Sequence, residues 1–470
     1  MLLVMKFGGT SLGDGARIGQ AAALAHREIA NGHQVVVVAS AMSGVTNQLI
    51  AAAQLAARGD ESLIAETRRR LFAQHIAAAQ AVTPSREAQD RLIAQSDRQL
   101  TVFENLARSV HILGELTARG LDAVAALGES LCVPLVAQAL RERGLAAEAI
   151  EATELIVTDD HFGNASPLMP ETAAQARARL MPLVQGGTVA VVTGFMGATR
   201  GGVTTTLGRG GSDYSATILG AALDADEVWI WTDVNGVMTA DPRIVPQART
   251  LPEISYAEAA ELSYFGAKVL HPKTLMPIAS KNKPVRILNT FEPEHPGTRI
   301  VPQAANGGRG AVKGITAIKR LCILSLEGRG MGGVPGVAAK LFAAVARQSV
   351  SVMMIAQSSS ELDICIVIED DAAARAIAAI EQEFELERLR GDVDGVRAQR
   401  QVTIVAVVGA GLRATPGIAA RVFGVLAERG INVISIAQGS SEYNLSLVVQ
   451  DSDADESLRA IHQAFELEKV

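Results

Sequence analysis

Two stretches of this 470-residue chain set cations among glycines, a combination that can hold phosphates and carboxylates. The first is Lys6-Phe7-Gly8-Gly9-Thr10-Ser11. Gly8 and Gly9 let backbone amides approach phosphate oxygens, a following helix adds its positive end, and Lys6 supplies a compact charge for β- and γ-phosphates. On its own, a lysine before Gly-Gly also suits a tight turn. The GxxxxGK[ST] phosphate loop occurs nowhere in the chain. The second stretch is TTTLGRGGSD, residues 204–213. Arg209 can grip a carboxylate through two parallel hydrogen bonds. Asp213 opens an Ala-rich run, where a lone aspartate would serve as a helix cap. A cap does not call for Gly-Arg-Gly-Gly beside it, so the stretch reads as a ligand loop.

Weaker groups surround these two. WTDVNG (residues 231–236) leads into TADPR (residues 239–243). Its turn formers suit either two ordinary turns or a nucleoside pocket with Asp241 and Arg243 near ribose and phosphates. In FGAKVLHP (residues 265–272), Lys268 suits a second phosphate cation or a surface position, and His271 before a proline reads as structural. SGVTN (residues 43–47) and Gly128-Glu129-Ser130 offer further polar groups. Glu129 precedes an apolar helical run, which suits a cap or an acceptor for a substrate ammonium.

The elements that must position these residues share one local grammar: an apolar run, a Gly/Ser/Thr loop, then an Ala-rich helical run. It appears at residues 2–11, 35–47, 188–197 and 227–236. Continuous apolar strands followed by helices predict a buried, largely parallel sheet sandwiched by helices, an α/β fold. Ligands in such sheets gather at the carboxyl ends of strands, so the four loops are expected on one face. Residues 62–120 read as helices beside the sheet. The composition is 48% hydrophobic, 20% charged and 4% aromatic, with a net charge of −7. That excludes a disordered chain and gives no basic footprint for nucleic acid or an acidic membrane. Cys132, Cys322 and Cys365 are too few and too scattered for a disulfide framework or a zinc site. No basic segment followed by an apolar stretch opens the chain, and uninterrupted apolar runs such as residues 35–39 are too short to cross a bilayer. A soluble cytoplasmic protein is expected, with no membrane partner.

Composition shifts to Pro, Gly and Asn around residues 293–314, which sets the expected boundary between a first domain (residues 1–300) and the remainder of the chain. Beyond it lies an internal repeat. The 34 residues from Pro335 match the 34 from Pro416 at a constant offset of 81, with 14 identities. Each copy reads strand, helix, strand, strand, helix, strand, the ferredoxin-like βαββαβ pattern, giving expected domains at 314–393 and 400–470. Gln357 and Gln438 occupy equivalent positions, each ending an apolar strand before Ser-Ser-Ser-Glu or Gly-Ser-Ser-Glu. A side-chain amide both donates and accepts, which suits an amino-acid effector. Ferredoxin-like sheets also associate by their edges, so a homodimer or higher homo-oligomer is expected.

Together KFGGTS, SGVTN, TTTLGRGGSD, TDVNGV with TADPR, and FGAKVLHP resemble the amino-acid kinase family, within it the aspartate kinases, across essentially the whole chain. The repeats look like ACT domains, and IAQSSSE and IAQGSSE are similar to the regulatory part of threonine-sensitive aspartokinase–homoserine dehydrogenases. With the sequence ending at Val470, no dehydrogenase half is expected. The resemblance implies phosphoryl transfer from ATP, with Mg2+, to the side-chain carboxylate of L-aspartate, opening lysine, threonine and methionine biosynthesis. It implies that Lys6 holds the transferring phosphate, with Gly8, Gly9 and Thr10 around it, and that Asp213 orients the phosphate-binding groups. Arg209 and Ser212 would hold substrate carboxylates, Glu129 the α-amino group and Thr46 a further oxygen, with Phe195 lining the pocket. Thr232, Asp233, Asp241, Arg243 and Lys268 would bind nucleotide. No protein ligand for the metal is implied. Gln357 and Gln438 would bind the effector, threonine before lysine. The rival readings are a sister enzyme such as acetylglutamate kinase and an inactive ACT-based sensor. The tandem repeat and TLGRGGSD oppose the first, and the retained Lys6, Arg209, Asp213 and Lys268 oppose the second. A dinucleotide oxidoreductase fits poorly, because no G-x-G-x-x-G fingerprint opens a first βαβ unit with an acidic residue about 20 positions on.

Overall fold

A strand such as LLVMKF has no polar face to turn to water, so it must be covered on both sides. The computed structural model, which describes residues 1–266, 270–304, 311–412, 415–438 and 443–469, shows this arrangement. The chain forms two compact units, Met1–Val237 with Pro252–Tyr256 and Val269–Ala305, and Met238–Leu251 with Ala257–Lys268 and Asn306–Val470.

The first unit is built on an eight-stranded sheet. Its strands are β1 (Leu2–Phe7), β2 (Gln34–Ala39), β3 (Ala147–Ile150), β5 (Val189–Thr193), β8 (Glu227–Thr232), β9 (Glu253–Ser255), β10 (Val285–Asn289) and β11 (Thr298–Val301). The order is β3-β5-β2-β1-β8-β10-β11-β9, with every neighbouring pair parallel except β10 with β11. Central β1 places Lys6 opposite Val38 of β2 and Ile230 of β8. A smaller sheet joins β4 (Val157–Thr158), β6 (Met196–Thr199) and β7 (Thr204–Thr206).

The helices of this unit are α1 (Gly15–Ala30), α2 (Val45–Ala57), α3 (Ser62–Val82), α4 (Arg86–Leu113), α5 (Ala118–Arg141), α6 (Met169–Gln185), α7 (Gly211–Leu223) and α9 (Pro272–Ala279). Side-chain caps start several of them: Asp14 accepts from Arg17 N, Ser85 from Ala88 N and Thr117 from Gly120 N. Helix α5 is long and apolar enough to cross a membrane by length and composition, but 94% of its apolar window is buried inside the fold, against α1, α2 and α4 and strands β3 and β5. A search for uninterrupted apolar runs passes over it, because Asp122, Gly128, Glu129 and Ser130 break the run.

In the second unit, α8 (Tyr256–Tyr264) accompanies one six-stranded antiparallel sheet. Its strands are β12 (Gly314–Glu327), β13 (Met354–Gln357), β14 (Asp363–Glu369), β15 (Gly395–Val408), β16 (Ser435–Ala437) and β17 (Asn444–Gln450), in the order β13-β14-β12-β15-β17-β16. Helices α10 (Val337–Arg347), α11 (Ala373–Glu383), α12 (Glu385–Arg390), α13 (Ile418–Glu428) and α14 (Ala454–Ala464) complete it. Each long strand serves two modules. Residues 321–327 of β12 pair with β14 and with the first half of β15, closing the first module. Residues 402–408 of β15 pair with β17 and with residues 314–318 of β12, closing the second. The break falls at Arg320 (φ 61°) and Gln401 (φ 57°), equivalent positions of the repeat. The second module therefore takes its outer strand from the chain ahead of the first module, and is not the continuous 400–470 stretch the repeat suggested. Each module has its own apolar core, and that of the second also contains Ala240, Val245 and Ala248. Residues 238–251 thus pack with the second module, although they lie well before the boundary expected near 300.

Candidate active site

The carboxyl ends of β1, β2, β5 and β8 open on one cavity of about 760 Å³. Its floor is an ion pair: Lys6 Nζ lies 2.5 Å from Asp213 Oδ1, and both side chains are largely buried. Asp213 does not cap its helix. Gly210, in the left-handed conformation, precedes α7, and Asp213 in the first turn turns to Lys6 instead. Gly210, Gly211 and Ser212, where α7 opens, line the cavity, and the Gly211 N–H is donated within the loop to the Gly208 carbonyl at 3.0 Å.

The loop before α7 is held in a shape that demands glycine. Gly208 has φ +78°, and a Cβ there would stand 2.8 Å from Asn164 Oδ1. Phe195 sits beneath the loop with φ 70°, an uncommon conformation for a residue with a side chain, and its carbonyl accepts from Leu207 N at 2.9 Å. Arg209 lies beyond, on the cavity wall.

Glu129 enters from α5. It is not a cap: the helix begins eleven residues earlier, behind Thr117, and Glu129 lies in its middle. The wall is close because Gly128 carries no side chain; a Cβ there would be 2.7 Å from Thr46 Oγ1 of α2. Glu129 is almost fully buried, and burial pushes its carboxyl up to about 8, opposed by the Ala41 backbone amide and the Lys6 charge. Its Oε2 is buried with no hydrogen-bond partner, so the group is poised to receive a donor. Behind it Ser130 Oγ donates to Glu151 Oε2 at 2.9 Å, and Glu151 is also pushed up by burial.

Of the residues singled out in the sequence, Lys6, Gly8, Gly9, Thr10, Thr46, Glu129, Phe195, Arg209, Ser212, Asp213, Thr232 and Asp233 line this one cavity. Asp241 and Arg243 do not. They belong to the second compact unit, where Arg243 Nη2 contacts Asp241 Oδ2 at 2.6 Å. Lys268 lies outside the described residues. His271 caps α9 by accepting from Lys273 N, the structural role expected of it. Gln357 ends β13 and Gln438 follows β16, both exposed at the outer strands of the six-stranded sheet. The sequence reading missed Asp122, Thr206 and Gly163, which also line the cavity. Asp122 lies seven residues before Glu129, two turns along the same helix face, a signal visible only once the helix is known to start at 118.

The profile of the Amino acid kinase family matches residues 1–289, and that of the ACT domain matches residues 324–384 and 405–465. The chain belongs to the amino acid kinase family. Among members, it is 35% identical over 473 residues to the bifunctional aspartokinase/homoserine dehydrogenase 1 of Zea mays, covering all of this chain and 51% of that protein. It is 33% identical over 467 residues to aspartokinase 3 of Arabidopsis thaliana, covering 98% of this chain and 81% of the relative. The chain therefore spans about half the length of the bifunctional relatives it matches. Among solved structures, E. coli aspartokinase III in complex with aspartate and ADP superposes with a TM-score of 0.81 at 30% identity, covering 99% of each chain. The same enzyme in complex with lysine and aspartate gives a TM-score of 0.78.

Proposed function

We propose that this family member is an ATP-dependent aspartate kinase, transferring the γ-phosphoryl group of ATP to the side-chain carboxylate of L-aspartate to give ADP and 4-phospho-L-aspartate. The observation that carries this reading is the convergence, in one cavity, of the Lys6–Asp213 pair, Arg209 and the unpartnered oxygen of Glu129. The cations suit phosphate and carboxylate groups, and the free carboxylate oxygen suits an ammonium; an amino acid with a second carboxylate uses all three. The complex of E. coli aspartokinase III with aspartate and ADP supports the same substrates.

The chemistry needs no strong base. A carboxylate oxygen of aspartate is ionised at neutral pH and attacks the γ-phosphorus; the bond to the β,γ-bridging oxygen breaks and ADP leaves with that electron pair. Lys6 offsets the charge on the equatorial oxygens, Asp213 fixes Lys6, and the start of α7 adds its positive end. Arg209 and Ser212 orient carboxylates, Glu129 takes the α-ammonium, and Thr46 and Phe195 complete the pocket. Gly8, Gly9, Thr10, Thr232 and Asp233 suit the nucleotide. Among the described residues no group of three or more His, Cys, Asp or Glu side chains gathers as a metal cage. Magnesium would therefore accompany ATP through phosphate oxygens and water, neutralising phosphate charge. We assign the ACT pair to feedback control by an amino acid, threonine or lysine, through Gln357 and Gln438; the lysine complex of E. coli aspartokinase III keeps lysine in contention.

Trapping acyl phosphate as hydroxamate tests the reading, with L-aspartate, L-glutamate and N-acetyl-L-glutamate in parallel, each with and without threonine and lysine. Turnover confined to aspartate is expected. Turnover with N-acetyl-L-glutamate alone, or none with any acceptor, would overturn it.

A further inference from the structure

Two carboxylates share the face of α5 that lines the cavity, and they are used differently. Glu129 leaves Oε2 without a partner. Asp122, 1% exposed, has both oxygens engaged by protein donors: Oδ1 accepts from Thr206 Oγ1 at 2.6 Å, and Oδ2 accepts from Thr206 N and Gly163 N, each at 2.9 Å. Thr206 is otherwise tied through its carbonyl, which accepts from Ala165 N at 2.9 Å. One side chain thus joins three segments: the helix that carries Glu129, the loop of residues 159–167, and the strand end that runs directly into Gly208 and Arg209.

We infer that Asp122 is a positioning residue for the amino-acid substrate, acting through Thr206 and Gly163 to set Arg209 against Glu129. At 1% exposure its oxygens are turned to three protein donors, so it acts on the substrate through those partners. The two groups that it aligns would grip opposite ends of one small molecule, so a shift of the loop changes their separation and weakens that grip. Its protein donors are Thr206 and Gly163, on segments other than the loops after β1 and β8 that suit the nucleotide. The inference rests on the aspartate kinase reading for its kinetic test, but not for its physical one.

The test compares Asp122→Ala with Asp122→Asn. The amide preserves the clamp: its oxygen can accept from both backbone N–H groups, and its NH2 can donate to the Thr206 hydroxyl, which is able to accept. Asp122→Ala should raise KM for aspartate about tenfold to a hundredfold while KM for ATP moves by no more than about threefold. Asp122→Asn should restore KM for aspartate to within about threefold of wild type. Hydrogen exchange in peptides covering residues 159–167 and 204–211 should speed up in Asp122→Ala and return in Asp122→Asn. An Asn variant as impaired as the Ala variant would mean that the charge itself contacts substrate. Unchanged KM values with only a smaller active fraction would reduce Asp122 to a stability role; either result overturns the inference. If wild type fails to phosphorylate aspartate, the kinase reading falls, and the exchange experiment alone decides the clamp. Should Asp122→Ala not fold, Thr206→Val removes the hydroxyl contact alone and should show the same split in smaller measure.

Discussion

The two compact units treat polar groups in opposite ways. In the first, charged side chains are buried and converge: Lys6 and Asp213 at 2.5 Å, with Glu129 nearby carrying an unpartnered oxygen. In the second, buried polar side chains are spent on the fold, Glu258 accepting from Ala410 N at 2.8 Å and Thr239 Oγ1 meeting His462 Nε2 at 2.9 Å, while the glutamines expected to meet an effector stand exposed at the outer strands. Burying charge is costly unless it is paired or used, so the buried charges of the first unit mark where its chemistry lies. On the proposed reading, the catalytic groups are already placed by the fold, whereas an effector of the second unit would be met at its surface.

That contrast can be broken most sharply at the ion pair. Lys6→Ala should lower kcat about a thousandfold, because it removes charge aimed at the transferring phosphoryl group; steady-state kinetics on protein of wild-type melting temperature checks it. A loss under about tenfold would make the buried pair structural. Next is Arg209→Lys, which keeps the charge but loses the planar fork and should raise KM for aspartate about tenfold, with KM for ATP little changed.

Glu129 gives a pH signature. Burial pushes its carboxyl up to about 8, so the form that accepts an ammonium is favoured as pH rises. KM for aspartate should fall between pH 6 and pH 9 in wild type, and Glu129→Gln should raise KM and flatten that profile. The sign for stability is opposite. A carboxyl raised above its ordinary value favours the protonated fold, and that stability is lost as pH climbs toward 8. Glu129→Gln should accordingly melt about 2–4 °C higher than wild type at pH 9 and at nearly the same temperature at pH 5. The smallest effect on turnover belongs to Gln357→Ala and Gln438→Ala. Inhibition by threonine or lysine should weaken while uninhibited kcat stays within about twofold, as exposed side chains outside the cavity allow. Inhibition curves identical to wild type would remove both glutamines from the effector site.

The parallel sheet was legible because β1, β2 and β8 are apolar on both faces, a pattern that leaves few alternatives. The glycine-rich cavity loops were legible because their sequences combine turn formers with cations. What escaped was tertiary. Glu129 read as a helix start because Gly120 and Gly128 interrupt a helix that is held by burial rather than propensity. Asp122 belongs to no motif, and its partners lie 41 and 84 positions away. Asp241 and Arg243 carry a motif, yet their turn packs beside the second module and their charges meet each other. Residues 314–318 resemble any short strand, and only their pairing with residues 404–408 shows which module they complete.

That last pairing also bears on how the chain is made. During synthesis, residues 314–318 emerge before their strand partners, residues 404–408, which appear only after the whole first module has been made; the contacts open to them earlier are with preceding residues, Ile315 N donating to the Thr239 carbonyl and Thr316 Oγ1 to the Phe265 carbonyl. That strand waits longest for its ladder, so partner exchange in crowded refolding is expected to begin there.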